Sequence, residues 1–256
     1  MPSAKLTLTA LTGIKLVEPG DDLCAIAVAA FSANRIVPEP GDVLVVAQKI
    51  VSKAEGRYVD LTTVEPSERA IALAAEVDKD PRFVEVVLSE SKRVVRHRPG
   101  LLIVEHRLGF VMANAGIDHS NLPTQTGGER VLLLPQNPDG SALALRTQLV
   151  DTVGTEISVI ICDSFGRAWR KGTVGIALGA AGLPALIDMR GQPDLFGREL
   201  LVTETGFADE IAAAAGLLMG QADEAVPMVL VRGLGWSAPE EPAAALIRPA
   251  EHDLFR

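Results

Sequence analysis

Aromatic residues make up only 4% of this 256-residue chain, so its core has to be built from Ala, Val, Leu and Ile. Cysteine is scarce: Cys24 and Cys162 lie far apart and outside any zinc spacing. That argues against a disulfide framework and fits a reducing compartment. Basic residues fall short of acidic ones, 24 against 33, giving a net charge of -9. A protein that coats nucleic acid or an anionic membrane needs basic surface, so neither partner is expected. A small anionic substrate remains open, because it needs only local cations or a bound metal. Long hydrophobic runs are also missing. The longest uncharged stretch, Gly172 to Ile187, is glycine-rich and shorter than the roughly 20 residues of a membrane helix. The N-terminus lacks the apolar core of a signal peptide. A soluble cytoplasmic protein is expected. No GxxxxGK[ST] loop, HExxH, CxxC pair or GxSxG elbow occurs, so the common enzyme fingerprints give no lead.

What is present is apolar aliphatic material, 48% hydrophobic residues with a mean hydropathy of +0.24, enough to offset the chain entropy lost on folding. The length allows one large domain or two small ones. Alternation over Lys5–Leu11 predicts a strand, and GDDLCAIAVAAF opens a helix over Gly20–Ala33 capped by Asp21 or Asp22. Asp42–Ala47 is a short buried strand, followed directly by QKIVSKAEGR. Proline and acids at its start mark a helix over Pro66–Val77. Phe83–Leu88, Val94–Val104 and Phe110–Ala113 read as strands, the second broken by Arg98, Pro99 and Gly100. Ser141–Val153 and Ala208–Met219 read as helices, and Pro227–Val231 as a strand. The unbroken apolar run Ile157–Cys162 is the pattern of a strand buried on both faces. No repeat or low-complexity linker divides the chain, and a lobe boundary is expected near residues 134–140. Strands and helices without regular alternation predict an α+β protein with mixed sheets and packed helices.

Four segments carry candidate chemistry. In ISVIICDSFGRAWRKG a buried strand is read as ending in Asp163 and Ser164, then turning through glycine into Arg167, Arg170 and Lys171. An acid on a rigid element suits a hard metal ion, and the cations suit phosphate or carboxylate oxygens. The alternative is a turn cap followed by solvated charge. In ANAGIDHSN, Asp118 suits a cation and Asn121 could read a base or phosphate, against the alternative of an Asx-rich turn in which His119 is a loop residue. In QKIVSKAEGR, Lys53 could neutralise a phosphate, against a solvated turn. In MGQADE a helix ends at glycine, which is common and says little by itself.

Together, IVSKAEGR, ANAGID-x-SN, D-S-x-G-R-x-W-R-x-G, DMRGQPDLFGRELLVT and ADEIAAAAGLLMGQ occur in one order that resembles the coenzyme F420-0:L-glutamate ligase (gamma-glutamyl ligase) family, from Gly13 to Gly233. The resemblance implies an amide ligase that spends GTP to add L-glutamate to F420-0, and further glutamates through gamma-linked bonds. It implies an acyl-phosphate intermediate and release of GDP and phosphate. It implies two divalent ions, Mg2+ or Mn2+, a monovalent cation such as K+, and an intertwined homodimer. The family pattern puts metal at Asp118 and Asp163, with Ser164 and Gln221 holding a second ion. Nucleotide positions fall on Ile14, Lys15, Leu16 and Val17, on Gln48, Lys53 and Asn121, and on Met219, Gly220, Gln221, Ala222, Asp223, Glu224, Ala225 and Val226. Ser164 stands where threonine is usual, which keeps the hydroxyl, and Gln48 stands where some members carry a hydroxyl residue. Arg167 and Arg170, with Asp163, are the catalytic candidates. One catalytic unit is expected, without the nitroreductase-like domain of some relatives and without flavin. The competing readings are a non-catalytic deazaflavin or nucleotide binder, and a related amide ligase with another substrate.

Overall fold

The computed structural model describes residues 5–118 and 129–253. In chain order the strands are β1 (Thr7–Ala10), β2 (Val43–Ala47), β3 (Tyr58–Asp60), β4 (Ser91–Arg98), β5 (Leu101–His106), β6 (Val111–Ala113), β7 (Arg130–Leu132), β8 (Ser158–Arg167), β9 (Arg170–Ala181), β10 (Ile187–Asp188), β11 (Glu204–Thr205) and β12 (Met228–Arg232). The helices are α1 (Leu23–Ala33), α2 (Gln48–Ala54), α3 (Glu68–Val77), α4 (Pro81–Ser89), α5 (Pro138–Val153) and α6 (Phe207–Met219). The fold is α+β with mixed sheets, as expected.

Local chemistry sets most helix starts. Asp22 accepts the Ala25 amide at the head of α1, so it is the cap, while Asp21 binds Lys15 instead. Ser67 caps α3, Asp80 followed by Pro81 caps α4, and Asn137 followed by Pro138 caps α5. Each side-chain oxygen satisfies an amide that the first turn leaves unpaired. α3 therefore starts after Pro66, and α5 starts before Ser141.

The central sheet has the order β1-β12-β2-β8-β9. β2 and β8 run parallel, with Val43 opposite Ser158 and Ala47 opposite Cys162. Alternation along β2, β8 and β12 splits the side chains between two cores. Leu44, Val46, Val159 and Ile161 pack under α1 and α5, whereas Val45, Ile160, Cys162 and Val229 pack under α6. This two-sided burial is what the run Ile157–Cys162 predicts. A third core joins α3 and α4 to the sheet β4-β5-β6.

Three expectations need correction. Phe83–Leu88 is not a strand but the body of α4. Phe83, Val84, Val86 and Val87 are buried, a helical spacing, and the Asp80–Pro81 start outweighs the β propensity of valine. Val94–Val104 is a hairpin, β4 and β5, that turns at Pro99–Gly100. β8 does not stop at Asp163. It runs on to Arg167 in pairing with β9, and the turn falls at Ala168–Trp169.

A buried ionic cluster joins the end of α2 to the α4–β4 junction and to β5. Glu90 accepts from Arg57 Nη2 at 3.2 Å and Arg107 Nε at 3.0 Å, with His106 Nε2 3.5 Å away. Burial pushes the Glu90 carboxyl up, but His106, Arg107 and Arg57 outweigh it and hold the pKa down to about 2.

Candidate active site

The sheet topology gathers the candidate residues. β2 ends at Ala47 and passes straight into α2, while its parallel neighbour β8 continues through Asp163 and Ser164. β12 runs antiparallel to both β1 and β2, with Ala10 opposite Val229. The end of β1 and the start of β12 therefore lie at this same end of the sheet. Residues 11–17, α2, Asp163–Ser164 and the loop 219–227 thus meet at the carboxyl end of a parallel strand pair, the place where open α/β sheets put ligands.

α2 is anchored by Ile50 and Val51 in the core, and it also buries Gln48, Ser52 and Lys53. Ser52 Oγ donates to Gln48 Oε1 at 2.9 Å, which leaves Gln48 Nε2 to donate to Asp118 Oδ2 at 2.9 Å. Lys49 Nζ stands 3.3 Å from the other Asp118 oxygen. Lys53, one turn further on, has its pKa lowered by burial and by Lys49, with Asp118 opposing. It is a buried cation and not the solvated turn charge that its sequence allowed.

Asp118 follows a strained turn. Asn114, Ala115 and Gly116 all have left-handed backbones, with φ of 51°, 54° and 67°. For a non-glycine residue this costs on the order of 1–3 kcal/mol. Backbone bonds in both directions with Leu132, at 2.9 and 3.0 Å, then fix Asp118. Burial raises its carboxyl pKa, opposed by Lys49, Gln48 and Lys53. Asn114 Oδ1 is buried with no hydrogen-bond partner among the described residues. Asn121 and His119 lie outside the described residues.

Asp163 is pushed up to about 7, first by burial and then by the negative charge of Asp118. The Ser164 amide, which donates to Asp163 Oδ1 at 2.8 Å, and Lys49 oppose this. Ser164 Oγ donates to Gln221 Oε1 at 2.7 Å, so the two residues assigned to a second ion are already in contact. Two carboxylates that repel in a buried site, beside a hydroxyl and an amide oxygen, form an all-oxygen set. Such a set fits a hard divalent ion of the Mg2+ or Mn2+ type. Among the described residues no group of three His, Cys, Asp or Glu could hold a metal, so the set depends on Ser164 and Gln221.

α6 delivers the loop 219–226. Met219 and Val226 pack on the α6 core, while Gln221, Ala222, Asp223, Glu224 and Ala225 are exposed. The Glu224 carboxylate accepts the Ala222 amide at 2.8 Å, and loop amides lower its pKa. It lies where a side chain on Gly220 would have to stand, and Gly220 has φ 70°, so only glycine fits there. On the other flank, Val17 is buried, Leu16 is exposed and Lys15 pairs with Asp21. A groove of about 450 Å³ opens between Gly13–Lys15 and the Ala25–Ile26 face of α1. That falls within the roughly 300–1,000 Å³ typical of small-ligand sites.

Arg167 and Arg170 stand apart from this cluster. They are paired across the hairpin tip and exposed. Arg167 lies four residue steps along the strand from Asp163, a span of about 13 Å. Sequence reasoning also left Lys49 and Asn114 without a role. The i,i+4 spacing of Lys49 and Lys53 was the signal for the first, but it has meaning only once QKIVSKA is a helix.

Oxygen atoms that could hold a hard cation stand beside two lysines at one end of a mixed sheet, an arrangement chemically able to bind anionic groups. The comparisons make the class specific. Residues 13–233 match the family F420-0:Gamma-glutamyl ligase, and the chain belongs to that family. A "Coenzyme F420:L-glutamate ligase" of Methanopyrus kandleri is 46% identical, covering 94% of this chain and 93% of the relative. Proteins of the same name from Methanothermobacter thermautotrophicus and Archaeoglobus fulgidus are 42% and 44% identical, covering 98% and 95% of this chain and 99% and 94% of their own length. The chain is an amide-forming ligase.

Proposed function

We propose that this chain joins L-glutamate to coenzyme F420-0 at the expense of GTP, and extends the product through gamma-linked glutamates. The observation that carries the reading is identity of 42–46% over nearly the full length of relatives named for glutamate ligation. The clustered Asp118, Asp163, Ser164, Gln221 and Lys53 add chemical sense to it.

A carboxylate is a poor acyl donor. Transfer of the GTP γ-phosphoryl group to it gives an acyl phosphate and GDP. The glutamate amine then attacks the acyl carbon, the C–O bond to phosphate breaks, and inorganic phosphate leaves as the amine gives up a proton. Asp118, Asp163, Ser164 and Gln221 would hold the divalent ions, which when bound supply charge stabilisation at the phosphate oxygens. Lys53 and Lys49 place positive charge beside the phosphate positions, and Gln48 orients Asp118. The groove beside Ile14 and Lys15 offers room for the nucleoside. The tightly folded loop 219–226 closes the other flank. Incubation with GTP, Mg2+, L-glutamate and F420-0 tests the reading. Stoichiometric GDP and glutamylated product support it, and tight binding without turnover supports a passive binder instead.

A homodimer belongs to the same proposal. Beyond β10 and β11 the chain forms an extended arm, with Gly191 bonded to Leu200 and a tight turn at Asp194–Arg198. Leu195 is 99% exposed and Phe196 83%, with Leu201 and Val202 exposed behind them. Such an apolar surface calls for a partner, and a second copy fits the family. Light scattering of the purified protein tests this. No helix among the described residues is long and apolar enough to cross a membrane.

A further inference from the structure

We propose that Arg93, Arg96 and Arg98 form a track for an oligo-γ-glutamyl chain, the tail that the ligase reaction builds; this rests on the ligase reading above. β4 is the edge strand of the sheet β4-β5-β6, and Lys92, Arg93, Arg96, His97 and Arg98 crowd it with cations in a chain whose net charge is -9. Simple alternation would send Arg93 to the opposite face from Arg96 and Arg98. A register shift between Val94 and Arg96 prevents that. Arg93 pairs with Glu105, Arg96 with Ile103 and Arg98 with Leu101. Those three partners share one face of β5, because Leu102 and Val104 occupy the core on the other. That one irregularity therefore lines up three arginines on the outer face. Scattered charge would suffice to keep an edge strand from pairing with other chains, whereas a bulge that re-aims a side chain is typical of a built feature.

The row is open. Arg96 and Arg98 are exposed and form no ion pair among the described residues, and Val111 and Ala113 on β6 continue the same exposed face. Arg93 is held at 2.8 Å by Glu105. The row is also linked to the site. Arg96, Ile103 and Ala113 lie in line across the sheet, and five residues beyond Ala113 the chain reaches Asp118.

Spacing and charge identify the ligand. Successive arginines on one face of a strand stand about 6.6 Å apart. A gamma linkage consumes the side-chain carboxyl, so every residue of the tail keeps its α-carboxylate. Five backbone bonds per repeat, against three in an ordinary peptide at about 3.5 Å, space those carboxylates about 6 Å apart. Guanidinium groups match carboxylates in paired hydrogen bonds. Single exposed ion pairs are weak, so the track should grip a chain and ignore one glutamate.

Titration calorimetry with synthetic γ-linked tetra-L-glutamate at low salt tests this. The wild type should bind it, salt should weaken binding, and Arg96→Gln with Arg98→Gln should weaken it at least tenfold without changing the melting temperature. Ligase products of the double variant should carry shorter tails. Equal binding by the double variant overturns the track, as does L-glutamate or an unstructured RNA binding as tightly as the tetramer. Tetramer binding that the arginine changes abolish, in a protein that releases no GDP with F420-0 and glutamate, keeps the track and sinks the ligase reading.

Discussion

Asp163→Asn should make the metal-free protein more stable while it removes the response to metal. In the fold this carboxyl titrates at about 7, against 3.8 when exposed, because burial and the Asp118 charge both disfavour ionisation. The folded state therefore holds this proton more tightly than the unfolded state. The benefit is full below pH 3.8 and lost as pH rises through about 7. At 1.36 kcal/mol per pKa unit, ionised Asp163 costs the fold on the order of 4 kcal/mol at pH 8. Asparagine has nearly the same shape, still accepts the Ser164 amide and carries no charge. At pH 8 in chelator the variant should thus melt about 8–16 °C higher, using roughly 2–4 °C per kcal/mol for a chain of this size. At pH 4 the two should melt alike. Adding Mg2+ at about 100 times its dissociation constant should restore about 2.7 kcal/mol to the wild type and little to the variant. Thermal melts at both pH values, with and without Mg2+, supply the four numbers needed for each protein. A variant less stable than wild type at pH 8 in chelator, or one with an undiminished Mg2+ response, would refute the reasoning.

Lys53→Ala should weaken GTP binding by roughly 10- to 100-fold, since a charge-assisted phosphate contact is worth about 1.5–3 kcal/mol; titration of GTP at fixed Mg2+ reads this. Gly220→Ala should displace the Glu224 carboxylate, raise the KM for GTP and lower the melting temperature by a few degrees, because a φ of 70° strains alanine by about 1–3 kcal/mol at the end of α6. Steady-state kinetics on the variant separates that from a general loss of fold. Glu90→Gln should cost about 3 kcal/mol at neutral pH by leaving Arg57 and Arg107 without their shared carboxylate. The wild-type benefit is full above pH 4.5 and fades as pH falls towards 2. Urea melts across that range should show the difference shrinking with acid.

The central strands and most helices were legible because each has a local cause. The run Ile157–Cys162 is apolar on both faces, and Asp22 and Ser67 cap the helices α1 and α3. α4 is ambiguous in the sequence because valine-rich segments suit both states, and the Asp80–Pro81 start is the one local signal that marks it as a helix. β9 passed unassigned because of its glycines. The structure shows why they are there: a side chain on Gly175 or Gly179 would collide with the backbone of α6 or α5. The site was legible as separate segments only. Nothing local says that Gln48 meets Asp118, 70 residues away, or that Ser164 meets Gln221, 57 away. The first meeting comes from β7, where Leu132 holds Asp118 beside the β3 strand that follows α2. The second comes from β12, whose pairing with β2 brings the loop before it to the end of β8; no pattern within any one of these segments specifies them. The antiparallel pairing of β8 with β9 keeps β8 extended past Asp163 and carries Arg167 and Arg170 out to the hairpin tip.

The most direct test measures GDP, inorganic phosphate and glutamylated product together, in one reaction of the purified protein with F420-0, L-glutamate, GTP and Mg2+. The account predicts equal amounts of the three, with none formed when glutamate or the divalent ion is left out. Glutamylated product without GDP, or GDP release at the full rate without F420-0, would contradict it.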